Sequence, residues 1–294
     1  MRFGVDIGGT TVKIGIVDNY KIIDKYSIKT NKDTLFDDIC LSIKDYINSH
    51  DVNDIDGIGF GIPGNVVDDF IYNMPNVGLQ NINLKKAIDK HFPNMTIASN
   101  NDANCAALGE SFIDGEFKSS YMITLGTGVG GGYVVNGRVI NGAHGACGEI
   151  GHLYVDPIHE YECTCGLKGC LETVASATGI VRLANKYYDQ YKTSLKRGMT
   201  CEDVFAAAKE NDELGLFVLD LVSKYLANGL SLIAITTDVD CFYIGGGVAE
   251  AGDLLLNKVK EYYMKYAHYA VKNTRISLAK LGNFAGMLGA AYLF

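Results

Sequence analysis

FGVDIGGTTVKIGIVDNYKII, Phe3 to Ile23, and ITLGTGVGGGYVVNGRVI, Ile123 to Ile140, decide the fold between them. Each runs in the order strand, glycine turn, strand, tight turn, strand, read from apolar runs punctuated by Gly, Asp and Asn. At an offset of about 118 residues Gly8 falls on Gly126, Val17 on Val135, and Asp18-Asn19 on Asn136-Gly137, and a repeat of this length predicts two related lobes.

Outward from these units the pattern is α/β. Arg2 to Asp6, Val12 to Val17 and Lys21 to Ser27 read as strands, with Asp18-Asn19 turning between the last two. Leu35, Ile39, Ile43 and Ile47 recur at four-residue steps and predict a helix over Leu35 to Ile47. Asp56 to Ile62 is a strand ending at Pro63-Gly64, a turn signal, Thr96 to Ser99 is a short strand, and Ala103 to Ser111 is a helix. Beyond the cysteine-rich segment the chain is mainly helical from about Ala175 to Ala234. A buried strand follows at Val239 to Ile244, then the glycine run Gly245 to Gly247, and a helix from about Ala251. No Pro- or Ser-rich linker divides the chain, and ligand is expected in a cleft between the two lobes.

Composition excludes several functions. With 294 residues, 48% hydrophobic, the chain can bury a substantial core. A net charge of −8, without a Lys/Arg cluster, argues against nucleic acid as a partner and favours a small molecule. No apolar run reaches the roughly 18 residues of a membrane span, and no signal peptide is legible, so a cytoplasmic protein without membrane contact is expected. Cys40, Cys105, Cys147, Cys201 and Cys241 lie scattered among apolar neighbours, which fits a reducing compartment.

Three glycine turns supply candidate phosphate chemistry. In DIGGTT, Asp6 to Thr11, Gly8 and Gly9 let the backbone approach an anion, and Thr10 and Thr11 add hydroxyl donors. LGTGVGGG, Leu125 to Gly132, repeats the device with Thr127, and Gly245 to Gly247 leads towards a helix whose N-terminus attracts negative charge. None has the order of a P-loop, and the Gly126 to Gly131 run lies between strands, which argues against a dinucleotide fold. Asp102, in SNNDANCAALGE, sits where a strand meets a helix. It reads either as a helix-capping carboxylate or, facing the crevice at the end of an α/β strand, as a general base for a hydroxyl attacking a phosphoryl group. Asn101, Glu149, His152 and Glu172 add amide, carboxylate and imidazole groups suited to the hydroxyls of a sugar.

CTCGLKGCLE, Cys163 to Glu172, places three cysteines in ten residues, and GEIGH upstream offers His152 as a fourth donor. Cys3His is a common set for tetrahedral structural zinc. A disulfide, or thiols packed as small hydrophobes, are the competing readings.

Together DIGGTTVK, GIPG (Gly61 to Gly64), NNDANCAALGE, LGTGVGGG, GEIGH, CTCGLKGCLE and IGGGVAEAG (Ile244 to Gly252) resemble the ROK family of sugar kinases over the whole chain, most closely its bacterial glucokinases. The resemblance implies an actin-like, hexokinase-type ATPase fold of two α/β lobes. The small lobe would span 1–113, completed by a C-terminal helix at about 283–294, and the large lobe, with the zinc segment, 114–282. It implies ATP-dependent phosphorylation of the 6-hydroxyl of a hexose, glucose before N-acetylmannosamine, with Mg2+ and structural Zn2+ as further cofactors and a homodimer as the assembly. Asp102 resembles the catalytic base, and Gly64, Asn65, Asn101, Asp102, Glu149, His152 and Glu172 the sugar-binding set. Asp6, Gly8, Gly9, Thr10, Thr11, Lys13, Gly126, Thr127, Gly128, Gly130, Gly246 and Gly247 resemble the nucleotide-binding set, with Asp6 nearest the Mg2+. His152, Cys163, Cys165 and Cys170 resemble the zinc ligands. Thr11 stands where the family commonly has Lys, and Asn65 follows GIPG where the family varies. Regulators in the family carry an additional N-terminal winged helix-turn-helix, and none is legible ahead of Asp6, so a kinase is expected rather than a sugar-responsive repressor.

Overall fold

The computed structural model describes residues 1–52, 54–114 and 117–294. From the N-terminus the elements are β1 (Arg2–Ile7), β2 (Thr11–Asp18), β3 (Lys21–Lys29), α1 (Leu35–Ser49), β4 (Gly57–Ile62), β5 (Asn65–Val67), β6 (Phe70–Met74), β7 (Leu79–Asn83), α2 (Leu84–Asp89), β8 (Ile97–Asn101) and α3 (Asp102–Asp114). There follow β9 (Ser119–Leu125), β10 (Val129–Val135), β11 (Arg138–Val139), α4 (Glu172–Ala175), α5 (Ala177–Tyr187), α6 (Cys201–Lys209), α7 (Glu213–Thr237), β12 (Cys241–Gly245), α8 (Asp253–Tyr266), β13 (Arg275–Leu278) and α9 (Ala285–Ala290). Two compact units result, Met1–Lys118 with Gly132–Gly148 and Leu281–Phe294, and Ser119–Gly131 with Glu149–Lys280.

The repeat read from the sequence is a repeat of topology. One sheet has the order β3-β2-β1-β4-β8 and another β11-β10-β9-β12-β13, so the corresponding strands occupy corresponding places. In the first, β1 is antiparallel to β2 and parallel to β4, which is parallel to β8. In the second, β12 runs parallel to both β9 and β13. Both hairpins end in turns whose central residues have positive φ, Asn19 and Tyr20 in one and Asn136 and Gly137 in the other. That is the turn geometry whose twist matches a two-residue hairpin. The first turn is therefore centred one residue later than the expected Asp18-Asn19, because β2 has eight residues where β10 has seven.

In the first sheet, Phe3, Val5, Ile7, Ile14, Ile16, Ile58, Phe60 and Ile62 are buried together with Leu35, Ile39 and Ile43 of α1. Each such side chain contributes about 1.5–3 kcal/mol on leaving water. The opposite face carries small residues in cross-strand register: Gly15 pairs with Gly4, Gly4 with Gly59, and Gly59 with Ala98. The row is the seat of α9. A Cβ on Gly4 would lie 1.9 Å from the Met287 carbonyl oxygen, and one on Gly59 1.7 Å from that of Ala290. Two residues along the same face, the next row is Lys13, Asp6, Gly61 and Asn100.

A three-stranded sheet, β5-β6-β7, follows the Pro63-Gly64 turn and was not foreseen. In the other unit α7, the one helix among the described residues long and apolar enough to cross a membrane, buries Leu214, Val218, Val222, Leu226 and Leu230 and serves as a core helix. The glycine run Gly245 to Gly247 enters a 3₁₀ turn over Gly247–Ala251, and α8 begins only at Asp253. The helix expected from about Ala251 thus starts two residues later, and the glycines themselves lead into the 3₁₀ turn, after which Gly252, at φ 67°, re-aims the chain.

Candidate active site and metal centre

In the first unit the turn after β1 is closed by Gly8 N–H donating to the Thr11 carbonyl at 3.0 Å, and by Thr30 Oγ1 donating to that of Gly8 at 2.8 Å. Gly9, Thr10 and Thr11 are left exposed, and the Thr10 carbonyl accepts the Thr30 N–H at 3.0 Å. Asp6, at the end of β1, faces Lys13 across the hairpin, with Lys13 Nζ 3.8 Å from Asp6 Oδ2. Burial raises the Asp6 pKa and the Lys13 charge partly offsets it.

Asp102 is the first residue of α3, directly after β8. Its Oδ1 accepts the N–H of Ala103 at 2.8 Å, a bond shared with Asn101 Oδ1 at 2.9 Å. Burial pushes the Asp102 carboxyl up to about 6, against the Ala103 N–H and with help from the negative charge of Asp6. A carboxylate so placed is mostly ionised at neutral pH yet more basic than an ordinary one, and can accept a proton from a hydroxyl. Asn101 Nδ2 donates to the Gly64 carbonyl at 3.1 Å, which ties the end of β8 to the GIPG turn. Gly64 has a packing reason of its own, because a Cβ there would lie 2.0 Å from the Asn73 carbonyl oxygen, while Asn65 is exposed at the start of β5.

In the second unit the LGTGVGGG turn is held by Gly126 N–H on the Gly128 carbonyl at 2.9 Å and by Ala177 N–H on that of Gly126 at 2.8 Å. Nothing lies within 4 Å of a Cβ built on Gly126 or on Gly247, whereas one on Gly246 would meet the Leu125 carbonyl oxygen at 2.4 Å. Gly130 lies inside β10 rather than in the turn. Thr178 Oγ1 donates to the Thr127 carbonyl at 3.1 Å.

The cysteine segment folds back on itself through Tyr154 against Cys170 and Glu162 against Lys168. This brings one donor atom from each of His152, Cys163, Cys165 and Cys170 within 4.8 Å of one another. Cys165 Sγ and Cys170 Sγ are 3.7 Å apart, and His152 Nδ1 is 3.5 Å from Cys163 Sγ. The edges of a tetrahedron built on usual zinc bond lengths are about 3.8 Å between sulfurs and about 3.6 Å between sulfur and imidazole nitrogen. The four residues thus form a Cys/His cluster that could hold a metal ion, with spacing that suits that geometry, and no disulfide joins the cysteines. His152 turns its other nitrogen, Nε2, to Glu149 Oε2 at 3.6 Å. Glu149 itself is exposed, at the N-terminal side of the 3₁₀ turn Ile150–His152.

Glu172 joins the metal site to the glycine turn. Its Oε2 accepts the N–H of Val129 at 3.0 Å, and its Oε1 is 3.8 Å from Cys163 Sγ. Beside it opens a cavity of about 300 Å³ lined by Thr127, Gly128, Cys163, Thr164, Thr178 and Arg182, among others. Thr164, Thr178 and Arg182 did not emerge from the sequence. Their one local signal is Ser176, whose hydroxyl caps α5 by accepting the Gly179 N–H at 3.1 Å.

Two sheets of the same strand order, each with a glycine turn after its first strand, and a buried carboxylate directly after a parallel strand place this molecule in the actin-like, hexokinase-type ATPase fold. The chain belongs to the ROK family, whose model matches residues 2–294. It is 40% identical to a glucokinase of Halalkalibacterium halodurans over 99% of this chain and 93% of that one. It is 29% identical to an N-acetylmannosamine kinase of Haemophilus influenzae, over 98% and 93% respectively. Among solved structures, a ROK family glucokinase from Streptomyces griseus in complex with glucose and AMPPNP superposes with a TM-score of 0.76 at 27% identity, covering 99% of this chain and 97% of that one.

Proposed function

We propose that this ATP-dependent sugar kinase transfers the γ-phosphoryl group of ATP to the 6-hydroxyl of glucose. The observation that carries the reading is Asp102, a carboxylate pushed up to about 6 by burial at the C-terminal end of β8, the position and basicity a hydroxyl deprotonation needs. Asp102 holds the sugar hydroxyl and takes its proton as the oxygen attacks phosphorus. In the first unit Gly64, Asn65 and Asn101 contact the sugar with it; in the second, Glu149, His152 and Glu172 do. Gly8, Gly9, Thr10, Thr11 and Lys13 of the first unit and Gly126, Thr127, Gly128, Gly130, Gly246 and Gly247 of the second bind the nucleotide. Asp6 is the carboxylate nearest the Mg2+, which when bound offsets charge developing on the transferred phosphoryl group.

The Cys/His site holds structural Zn2+. Four protein donors close the coordination sphere, so its residues frame the sugar-binding segment and activate no water. Identity to the glucokinase favours glucose, and the N-acetylmannosamine kinase supplies the second reading. An ADP-release assay over a panel of hexoses tests both. Turnover with glucose well above that with N-acetylmannosamine is expected, and the reverse order transfers the function to the second reading.

A further inference from the structure

Asp6 is backed by the start of α9. A Cβ built on Gly286 would lie 3.0 Å from Asp6 Cγ and 3.2 Å from each of its carboxylate oxygens. A position equidistant from both oxygens and closer still to Cγ lies over the flat face of the carboxylate, so the space that a side chain of residue 286 would enter is the face of Asp6. Three residues earlier the same segment reaches Lys13, whose Nζ donates to the Asn283 carbonyl at 3.5 Å. Lys13 is the cross-strand partner of Asp6.

The helix cannot move to relax these contacts. Backbone meets backbone along its length, at Gly4 and Gly59 of the sheet and at Gly109 of α3, where a Cβ would lie 2.2 Å from the Ala285 carbonyl oxygen. Gly289 presses in turn on Cys105. Gly286 has no positive φ that would demand glycine, and within a helix glycine is less favourable than alanine. The missing methyl therefore needs a reason outside the helix, and its neighbour is Asp6.

We propose that Gly286 is a positioning residue for phosphoryl transfer. With the Asn283 carbonyl on Lys13, it fixes the rotation of the Asp6 carboxylate, so that its oxygens present themselves to the divalent cation carried with the nucleotide. The inference rests on the reading of Asp6 as the carboxylate that approaches that cation. A methyl at 286 forces Asp6 to turn by a few tenths of an ångström, and small misplacements of a charged group cost rate and affinity steeply.

The test compares Gly286→Ala, Leu288→Ala and Asp6→Asn for ADP affinity by calorimetry with and without Mn2+, the Mg2+ concentration at half-maximal turnover, and Tm. Gly286→Ala is expected to weaken the Mn2+-dependent part of ADP binding and raise the Mg2+ requirement by about tenfold, with sugar KM and Tm unchanged. Leu288, buried on the same helix and clear of Asp6, reports destabilisation alone: its variant lowers Tm and keeps the cation response. Loss of the response in Asp6→Asn with a wild-type response in Gly286→Ala overturns the inference and leaves the Asp6 reading standing. A wild-type response in Asp6→Asn overturns both. Equal loss in Leu288→Ala also overturns it, because the effect would then be general loosening. If Gly286→Ala is insoluble, the double variant with Asp6→Ala decides: recovery of the fold locates the clash at Asp6 and supports the proposal, and continued insolubility overturns it.

Discussion

Glu172 Oε2 accepts the backbone N–H of Val129 at 3.0 Å, so a carboxylate from the start of α4 is fastened to the strand that leaves the LGTGVGGG turn. A Cβ on Gly128, the residue before Val129, would lie 2.4 Å from that same oxygen. A side chain at 128 would have to push the Glu172 carboxylate off the Val129 N–H.

Gly128→Ala should therefore displace Glu172 and raise KM for the hexose more than KM for ATP. Read as a phosphate-crowding position alone, Gly128 would give the opposite order. Steady-state kinetics with each substrate varied in turn separates the two, and a selective rise in the ATP value removes Glu172 from the sugar set.

Asp102→Asn should cut kcat by about 10²–10⁴-fold, the usual contribution of a proton acceptor, with sugar binding largely kept. In the parent enzyme the acid limb of the rate profile should fall near pH 6, where burial has pushed the carboxyl. Stability moves the other way. A carboxylate whose folded pKa is raised from 3.8 to about 6 costs nothing while both states are protonated, and destabilises the fold progressively as pH rises through that window. The asparagine variant should gain at most about 3 kcal/mol at neutral pH and nothing at pH 3. A variant with normal turnover would return Asp102 to the role of helix cap.

The glycine seat of α9 predicts a large loss of stability from a single methyl. Gly59→Ala places a methyl 1.7 Å from a main-chain oxygen, which no side-chain rotation relieves, and should cost about 3 kcal/mol or more. Gly247→Ala meets nothing within 4 Å and should leave Tm unchanged, so any rise in its KM for ATP reports a nucleotide contact rather than a packing fault. Thermal melts of both variants check the contrast.

What was legible in the sequence follows the range of the interactions. The two hairpin units announced themselves because apolar strands and their turn residues are local, and the cysteine cluster because its donors lie within nineteen positions of the chain, His152 to Cys170. Asp102 was legible from its junction of strand and helix. The sheet β5-β6-β7 was not, since residues 65–83 mix polar and apolar side chains without clean alternation, and turns such as Asp68-Asp69 reveal positive φ only once folded. Nor were Gly128 against Glu172 or Gly286 against Asp6, because each joins residues far apart in sequence through a side chain that glycine does not have.

Metal removal tests how the cysteine segment serves the sugar. The segment has a second anchor in Asp156, fully buried, whose Oδ1 accepts the hydroxyl of Tyr225 at 2.7 Å and the N–H groups of Ile158 and His159 at 3.2 and 3.1 Å. Burial opposes its charge, but these bonds and the His159 ring outweigh it and hold the carboxyl below its usual range. Its stabilisation is therefore present above pH 4 and lost as pH falls through the folded value. Val155 and Asp156 both donate their N–H to the Gly169 carbonyl, next to Cys170, so the cysteine segment is pinned by bonds other than those of its four candidate donors. Two variants divide the work. Cys165→Ser, which removes a donor, should lower bound zinc from about one per chain, raise hexose KM and lower Tm, while ATP KM changes less. Asp156→Ala should cost about 3–5 kcal/mol, as breaking a buried charged network does, and should speed zinc loss to a chelator with all four donors intact. Elemental analysis, chelator kinetics and substrate KM values read these outcomes together, and metal-free protein that phosphorylates hexose with an unchanged KM would detach the cysteine segment from sugar binding altogether.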